Sequence, residues 1–131
     1  MMSRILLDTQ AWVWMVSAPS RLSAAARGAL VDPAAELFLS VISPWELVIK
    51  HAARKFPMRE SPEELIPAMI ARARATELPI QRRHALRVAT LPLHHRDPFD
   101  RMLIAQAQVE GLVIITADRR FRAYDVEVLA A

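Results

Sequence analysis

Short apolar runs alternate with helical segments along this chain, and only two glycines punctuate its 131 residues. Residues 4–7 (RILL), 37–41 (LFLSV) and 112–115 (LVII) are apolar at successive positions, not at every second one. A strand reads this way when both faces of its sheet are covered, which is the condition of a parallel sheet. Residues 11–16 continue apolar on all sides as a buried helix, and 23–31 form an Ala-rich helix closed by Asp32-Pro33. Trp45, Val48, Ile49, Ala52 and Ala53 fall at helical spacing, which predicts an inward apolar face and puts Glu46, Lys50 and Arg54 on another face. Residues 61–76 and 82–89 read as two further helices divided by Leu78-Pro79-Ile80. A helix over 98–110 stops at Gly111, and 126–129 supplies a last edge strand. Two glycines leave no room for the hairpin turns of an antiparallel sheet. The expected fold is therefore a three-layer α/β sandwich, a parallel sheet flanked by helices, with residues 1–131 as a single domain.

Composition narrows the chemistry. With 53% hydrophobic and 24% charged residues the chain can bury a core. No apolar run approaches the roughly 20 residues needed to span a bilayer, and the opening apolar stretch breaks at Asp8, too early for a secretion signal. A cytoplasmic protein that engages no membrane is the expectation. The absence of cysteine excludes disulfides, thiolate catalysis and Cys-based zinc sites, so any metal must be held by oxygen or imidazole. The net charge of +3 is only a mild pointer to a polyanionic partner. No G-x-x-x-x-G-K or G-x-G-x-x-G is present to cradle a nucleotide phosphate.

The informative residues are acids placed just beyond the apolar runs. Ligands of open parallel sheets bind at the carboxyl ends of the strands. Asp8 follows RILL, Glu46 lies a few residues past LFLSV, Asp118 comes three residues after Ile115, and Asp97 and Asp100 open the helix that leads into the last central strand. Each also has an architectural reading. Asp8 can cap the helix beginning at Thr9. Ser43-Pro44-Trp45-Glu46 has the form of a capping box, in which Glu46 reaches back to the Ser43 amide. Ser61-Pro62-Glu63-Glu64 shares that spacing but follows no strand, so Glu64 is assigned no catalytic role. Asp97 is the better cap of its helix, which leaves Asp100 free to point outward. Asp118 can begin a turn.

Their conjunction carries more than any one of them. Hard divalent cations such as Mg²⁺ take oxygen ligands and retain waters, so three or four carboxylates on rigid elements suffice. Two such ions about 4 Å apart can activate a water and stabilise the leaving oxygen of a phosphodiester. Without metal the same acids would repel one another.

Four segments in order resemble the PIN domain, and within it the VapC-type toxins of bacterial toxin–antitoxin pairs. ILLDTQAWVW is similar to the first motif with Asp8 as its acid, SPWELVIK to the second with Glu46, DPFDRMLIAQA to the third with Asp100, and IITADRRF to the last with Asp118, Thr116 standing as a hydroxyl helper. The resemblance spans nearly the whole chain. It implies a parallel PIN sheet, dependence on Mg²⁺ or Mn²⁺, cleavage of an RNA substrate without a covalent intermediate, a homodimer, and neutralisation by a small cognate antitoxin. Gln10 departs from a frequent His, and Ala53-Arg54-Lys55 from a region where Gly is common. Related readings are a metal-dependent DNA or structure-specific nuclease, and a non-catalytic RNA- or antitoxin-binding module.

Other residues are assigned ordinary roles. His94-His95 lacks i, i+4 spacing and a third imidazole, and is read as a loop. Trp12, Trp14 and Trp45 are placed in the core or a dimer interface. Lys50, four residues after Glu46, is a helical ion-pair partner first and a phosphate contact second. Arg82-Arg83 and Arg119-Arg120-Arg122 are read first as solvated faces and second as an RNA path.

Overall fold

A computed structural model describes residues 3–131. In chain order it contains β1 (Arg4–Leu7), α1 (Thr9–Ser17), α2 (Ala24–Val31), β2 (Glu36–Ser40), α3 (Ile42–Ala52), α4 (Pro62–Ala73), β3 (Thr76–Leu78), α5 (Arg82–Val88), α6 (Pro98–Glu110), β4 (Val113–Thr116) and β5 (Val128–Ala130). Short 3-10 turns lie at Pro19–Arg21 and Arg119–Ala123. The strands form one sheet in the order β3-β2-β1-β4-β5, and every pairing is parallel.

The apolar runs explain this order. β1 is central, with Leu7 in register with Leu39 of β2 and Ile115 of β4. Successive side chains of a strand point to opposite faces. Ile5 and Leu7 accordingly join Trp12, Leu39, Leu47 and Met69 on one side, while Leu6 joins Phe38, Leu103, Ile104, Ile114 and Phe121 on the other. These two apolar layers, one on each face, are the interior of the expected three-layer sandwich. Burying each large side chain contributes roughly 1.5–3 kcal/mol, so the central strands fix the edge where the acids emerge.

α6 ends as its sequence predicts: Gly111 takes a left-handed conformation with φ of 68°, and its N–H bonds the carbonyl of Ala107.

Three local expectations are corrected. The helix over 61–76 ends at Ala73, Arg74 turns left-handed, and the chain then enters β3, which pairs with β2 through Phe38 and Thr76. A three-residue edge strand containing Glu77 has only one covered face and lacks the continuous apolar signature. The Ser43–Glu46 capping box does not form, because α3 begins at Ile42 and Ser43 lies inside the helix. The apolar face of α3 is also reversed: Ile42, Ser43, Glu46 and Leu47 are buried, whereas Trp45, Val48 and Ile49 are 56%, 42% and 40% exposed. Ser43 and Glu46 can turn inward because Thr9 supplies a hydroxyl between them. Trp12 is fully buried, so of the tryptophans it is the one that the core claims completely. No helix among the described residues is long and apolar enough to cross a membrane.

Candidate active site

Asp8 leaves the carboxyl end of the central strand and caps α1. Its backbone N–H extends the ladder to the carbonyl of Ile115, its Oδ1 accepts from the Ala11 N–H at 2.7 Å, and its Oδ2 accepts from the Thr116 hydroxyl at 2.5 Å. Capping and membership of an acidic site are thus compatible, because each uses a different oxygen.

Glu46 reaches the same place from α3. Its Oε1 accepts from the Thr9 hydroxyl at 2.6 Å, and its Oε2 lies 2.5 Å from the Lys50 ammonium. The pair expected from i, i+4 spacing is present, and it is anchored at a buried carboxylate instead of a solvated one. Asp97 caps α6, accepting from the N–H groups of Phe99 at 2.8 Å and Asp100 at 3.3 Å. Asp100 follows in the first turn. Asp118 opens the turn after β4, where the Thr116 hydroxyl accepts its N–H at 3.0 Å. The Asp118 carboxylate accepts from the Arg120 N–H at 2.9 Å and pairs with the guanidinium at 2.8 Å.

These separate segments meet. Asp8, Glu46, Asp97, Asp100 and Asp118 line one cavity of about 400 Å³, with Thr9, Gln10, Lys50 and Arg120 also on its wall. The cavity sits beyond the carboxyl ends of β1 and β4, where an open parallel sheet presents ligand sites. Thr116 supports it through Asp8. Glu64 is exposed and elsewhere, and Ser61 makes no capping bond to mimic one.

The electrostatics distinguish the acids. Burial, reinforced by the charges of Glu46 and Asp118, pushes Asp8 up to about 6 despite the Thr116 and Ala11 hydrogen bonds. Burial and then the charges of Asp97, Glu46, Asp8 and Asp118 push Asp100 up to about 8. Asp118 moves down because the Arg120 side chain donates to it. Burial works against the Lys50 ammonium, but the Glu46 hydrogen bond and charge outweigh it and raise its pKa.

Sequence reasoning missed His95. Its ring is buried, and Nε2 lies 2.8 Å from Asp100 Oδ2 and 3.2 Å from Asp118 Oδ2. Adjacent histidines in a loop carry no spacing signal, and their separation into exposed His94 and buried His95 is a tertiary effect. Thr9 was likewise read only as the start of a helix.

The donor set suits a hard divalent cation. Oxygen ligands predominate, burial and then the neighbouring negative charges raise Asp8 and Asp100 above the usual carboxylate range, and atoms of His95, Asp100 and Asp118 lie within 4.8 Å of one another. A cation there would favour the charged carboxylates that burial and mutual repulsion disfavour.

A sequence model of the PIN domain matches residues 5–127. No curated protein matches in a sequence search. Among solved structures, the chain is similar to DNA-bound VapBC from Salmonella typhimurium, with a TM-score of 0.73, 19% identity and 98% of each chain covered. It is also similar to VapBC-1 from nontypeable Haemophilus influenzae, with a TM-score of 0.69, 18% identity and 97% of each chain covered. For VapBC-5 from Mycobacterium tuberculosis, a member of the VapBC family of toxin-antitoxin systems, the TM-score is 0.64 at 22% identity, covering 98% of this chain and 99% of that one. At these identities the structural likeness is one of fold, and the match along residues 5–127 is what assigns ancestry. The chain belongs to the PIN-domain family.

Proposed function

We infer that this protein is a metal-dependent endoribonuclease, the toxin of a VapC-type toxin–antitoxin pair. The observation that carries the reading is the convergence of Asp8, Glu46, Asp100 and Asp118 from four chain segments on one cavity, with Asp8 and Asp100 pushed up to about 6 and about 8. These four carboxylates would hold Mg²⁺ or Mn²⁺. When bound, the cation supplies Lewis-acid charge for hydrolysis of a phosphodiester by water.

The chain's own residues prepare that chemistry. Thr9 and Thr116 donate to Glu46 and Asp8 and fix their rotamers. Lys50 and Arg120 bring positive charge to the cavity wall, where it can meet substrate phosphates. With no cysteine, a thiolate nucleophile is excluded, which agrees with direct attack by water. An antitoxin partner is supported by the VapBC neighbours, and a homodimer by the exposed apolar face of Trp45, Val48 and Ile49. The proposed place of action is the cytoplasm, where RNA is available.

The decisive experiment incubates purified protein with labelled RNA and DNA oligomers in Mg²⁺, Mn²⁺ or EDTA. Metal-dependent cutting of RNA alone is expected. Cutting of DNA alone would transfer the assignment to a DNA nuclease, and no cutting of either would reduce the protein to a binding module.

A further inference from the structure

His95 is held more firmly than a surface loop residue requires. Its N–H donates to the Tyr124 hydroxyl at 2.8 Å, and its carbonyl accepts from Arg101 at 3.3 Å. Arg101 also spans the carbonyls of Pro92 at 2.9 Å and Leu91 at 3.3 Å, which ties the preceding loop to α6. The imidazole packs edge-on against buried Phe121 with ring centroids 5.9 Å apart.

The two ring nitrogens have different partners. Nδ1 accepts the backbone N–H of Asp97 at 3.3 Å, so in the neutral ring it carries no proton. The proton therefore resides on Nε2, which donates to Asp118 Oδ2 at 3.2 Å and lies 2.8 Å from Asp100 Oδ2. Those acids come from different elements, the first turn of α6 and the turn after β4. Once both are ionised their like charges would drive them apart, and an N–H between them opposes that.

The geometry points to His95 as a positioning residue that sets the spacing of Asp100 and Asp118 through its Nε2–H, and not as a metal ligand itself. Ligation through Nε2 would need the proton moved to Nδ1, which would cost the Asp97 amide its acceptor. The inference rests on the metal-site reading given above. It adds a residue whose role is to pre-arrange two of the acids before a cation arrives.

The test uses the full chain as wild type, His95→Leu and His95→Gln. Imidazole ¹⁵N shifts should report the Nε2–H tautomer in metal-free wild-type protein and still report it in saturating Mg²⁺. A ring protonated on Nδ1, or one that loses its Nε2 proton when Mg²⁺ is added, overturns the assignment. Mn²⁺ affinity, followed by titration calorimetry, should weaken roughly 10- to 100-fold in His95→Leu, the range for loss of a residue that orients ligands. His95→Gln retains an N–H donor and should remain closer to wild type than to His95→Leu. Equal weakening in both variants, or none in a His95→Leu protein of unchanged Tm, overturns the inference alone. If wild-type protein binds no Mn²⁺, the metal reading falls and takes the inference with it. Should His95→Leu fail to fold, the tautomer and the glutamine variant decide.

Discussion

Thr116 and Asp8 stand 108 positions apart, yet the threonine hydroxyl donates to Asp8 Oδ2 at 2.5 Å. The bond joins the ends of two adjacent central strands and satisfies a buried acceptor. Thr116→Val preserves shape and removes the donor, so it should lower stability by about 1–3 kcal/mol. It should also move the Asp8 titration above its already raised midpoint of about 6, since the lost bond favours the charged form. Calorimetric melting and carboxyl NMR check both effects; an unchanged Asp8 midpoint would show that the hydroxyl does not govern this acid.

Metal-free protein should become less stable as pH rises from about 4 toward 8. Asp8 and Asp100 titrate at about 6 and about 8 when folded, against 3.8 for the free side chain. The folded chain thus retains protons that the unfolded chain has released, which makes stability fall with pH across that window. Asp118 is shifted downward and acts oppositely, at lower pH. Melting in EDTA should show a Tm several degrees lower at pH 8 than at pH 5. Millimolar Mg²⁺ should reverse the loss by binding only the folded site; a Tm indifferent to both pH and Mg²⁺ would remove the electrostatic case for a cation.

Substitutions among the acids should separate capping from chemistry. Asp100→Asn should abolish Mg²⁺-dependent RNA cleavage with the fold intact. Asp97→Asn keeps a competent cap, and its main effect should be a loss of about 0.3–1 kcal/mol from the missing charge at the helix N-terminus. Glu46→Gln should be inactive and Glu64→Gln active, although both residues occupy the same place in matching sequence motifs. Equal cleavage by the two glutamine variants would be fatal to the second member of the acid set.

Trp45→Glu should raise the monomer fraction in sedimentation and leave the monomer folded, because the indole is 56% exposed and touches Phe99 only edge-on, with ring centroids 5.4 Å apart. An unchanged sedimentation profile would place any dimer contact on another face.

The parts of this molecule most legible in the sequence are those with strong local signals. The buried strands 4–7 and 112–115, the Asp97 cap and the Gly111 stop were all readable because each is decided within a few residues. The convergence of Asp8, Glu46 and Asp118 was inferable from their positions beyond strands, and that of Asp100 from its place at the start of the helix that leads into β4. The inward face of α3 was not: helical periodicity favoured Trp45, Val48 and Ile49, but Thr9 made burial of Ser43 and Glu46 tolerable, and that hydroxyl comes from 34 residues away. His95 escaped for the same reason, since its partners Asp100, Asp118 and Tyr124 meet it only after α6 and β4 are packed. β3 escaped because three residues are too few to show a period.

The placement of β1 between β2 and β4 has a consequence for synthesis on the ribosome. The first strand is made at once but waits for its second neighbour until residues 113–116 have emerged, and Asp118 follows still later. Pairing across so long a loop is slow and is paid in chain entropy. A nascent or prematurely terminated chain lacking that last segment cannot assemble the acidic cavity, whatever fraction of its helices has formed. On the proposed function, activity would become available only near the end of translation.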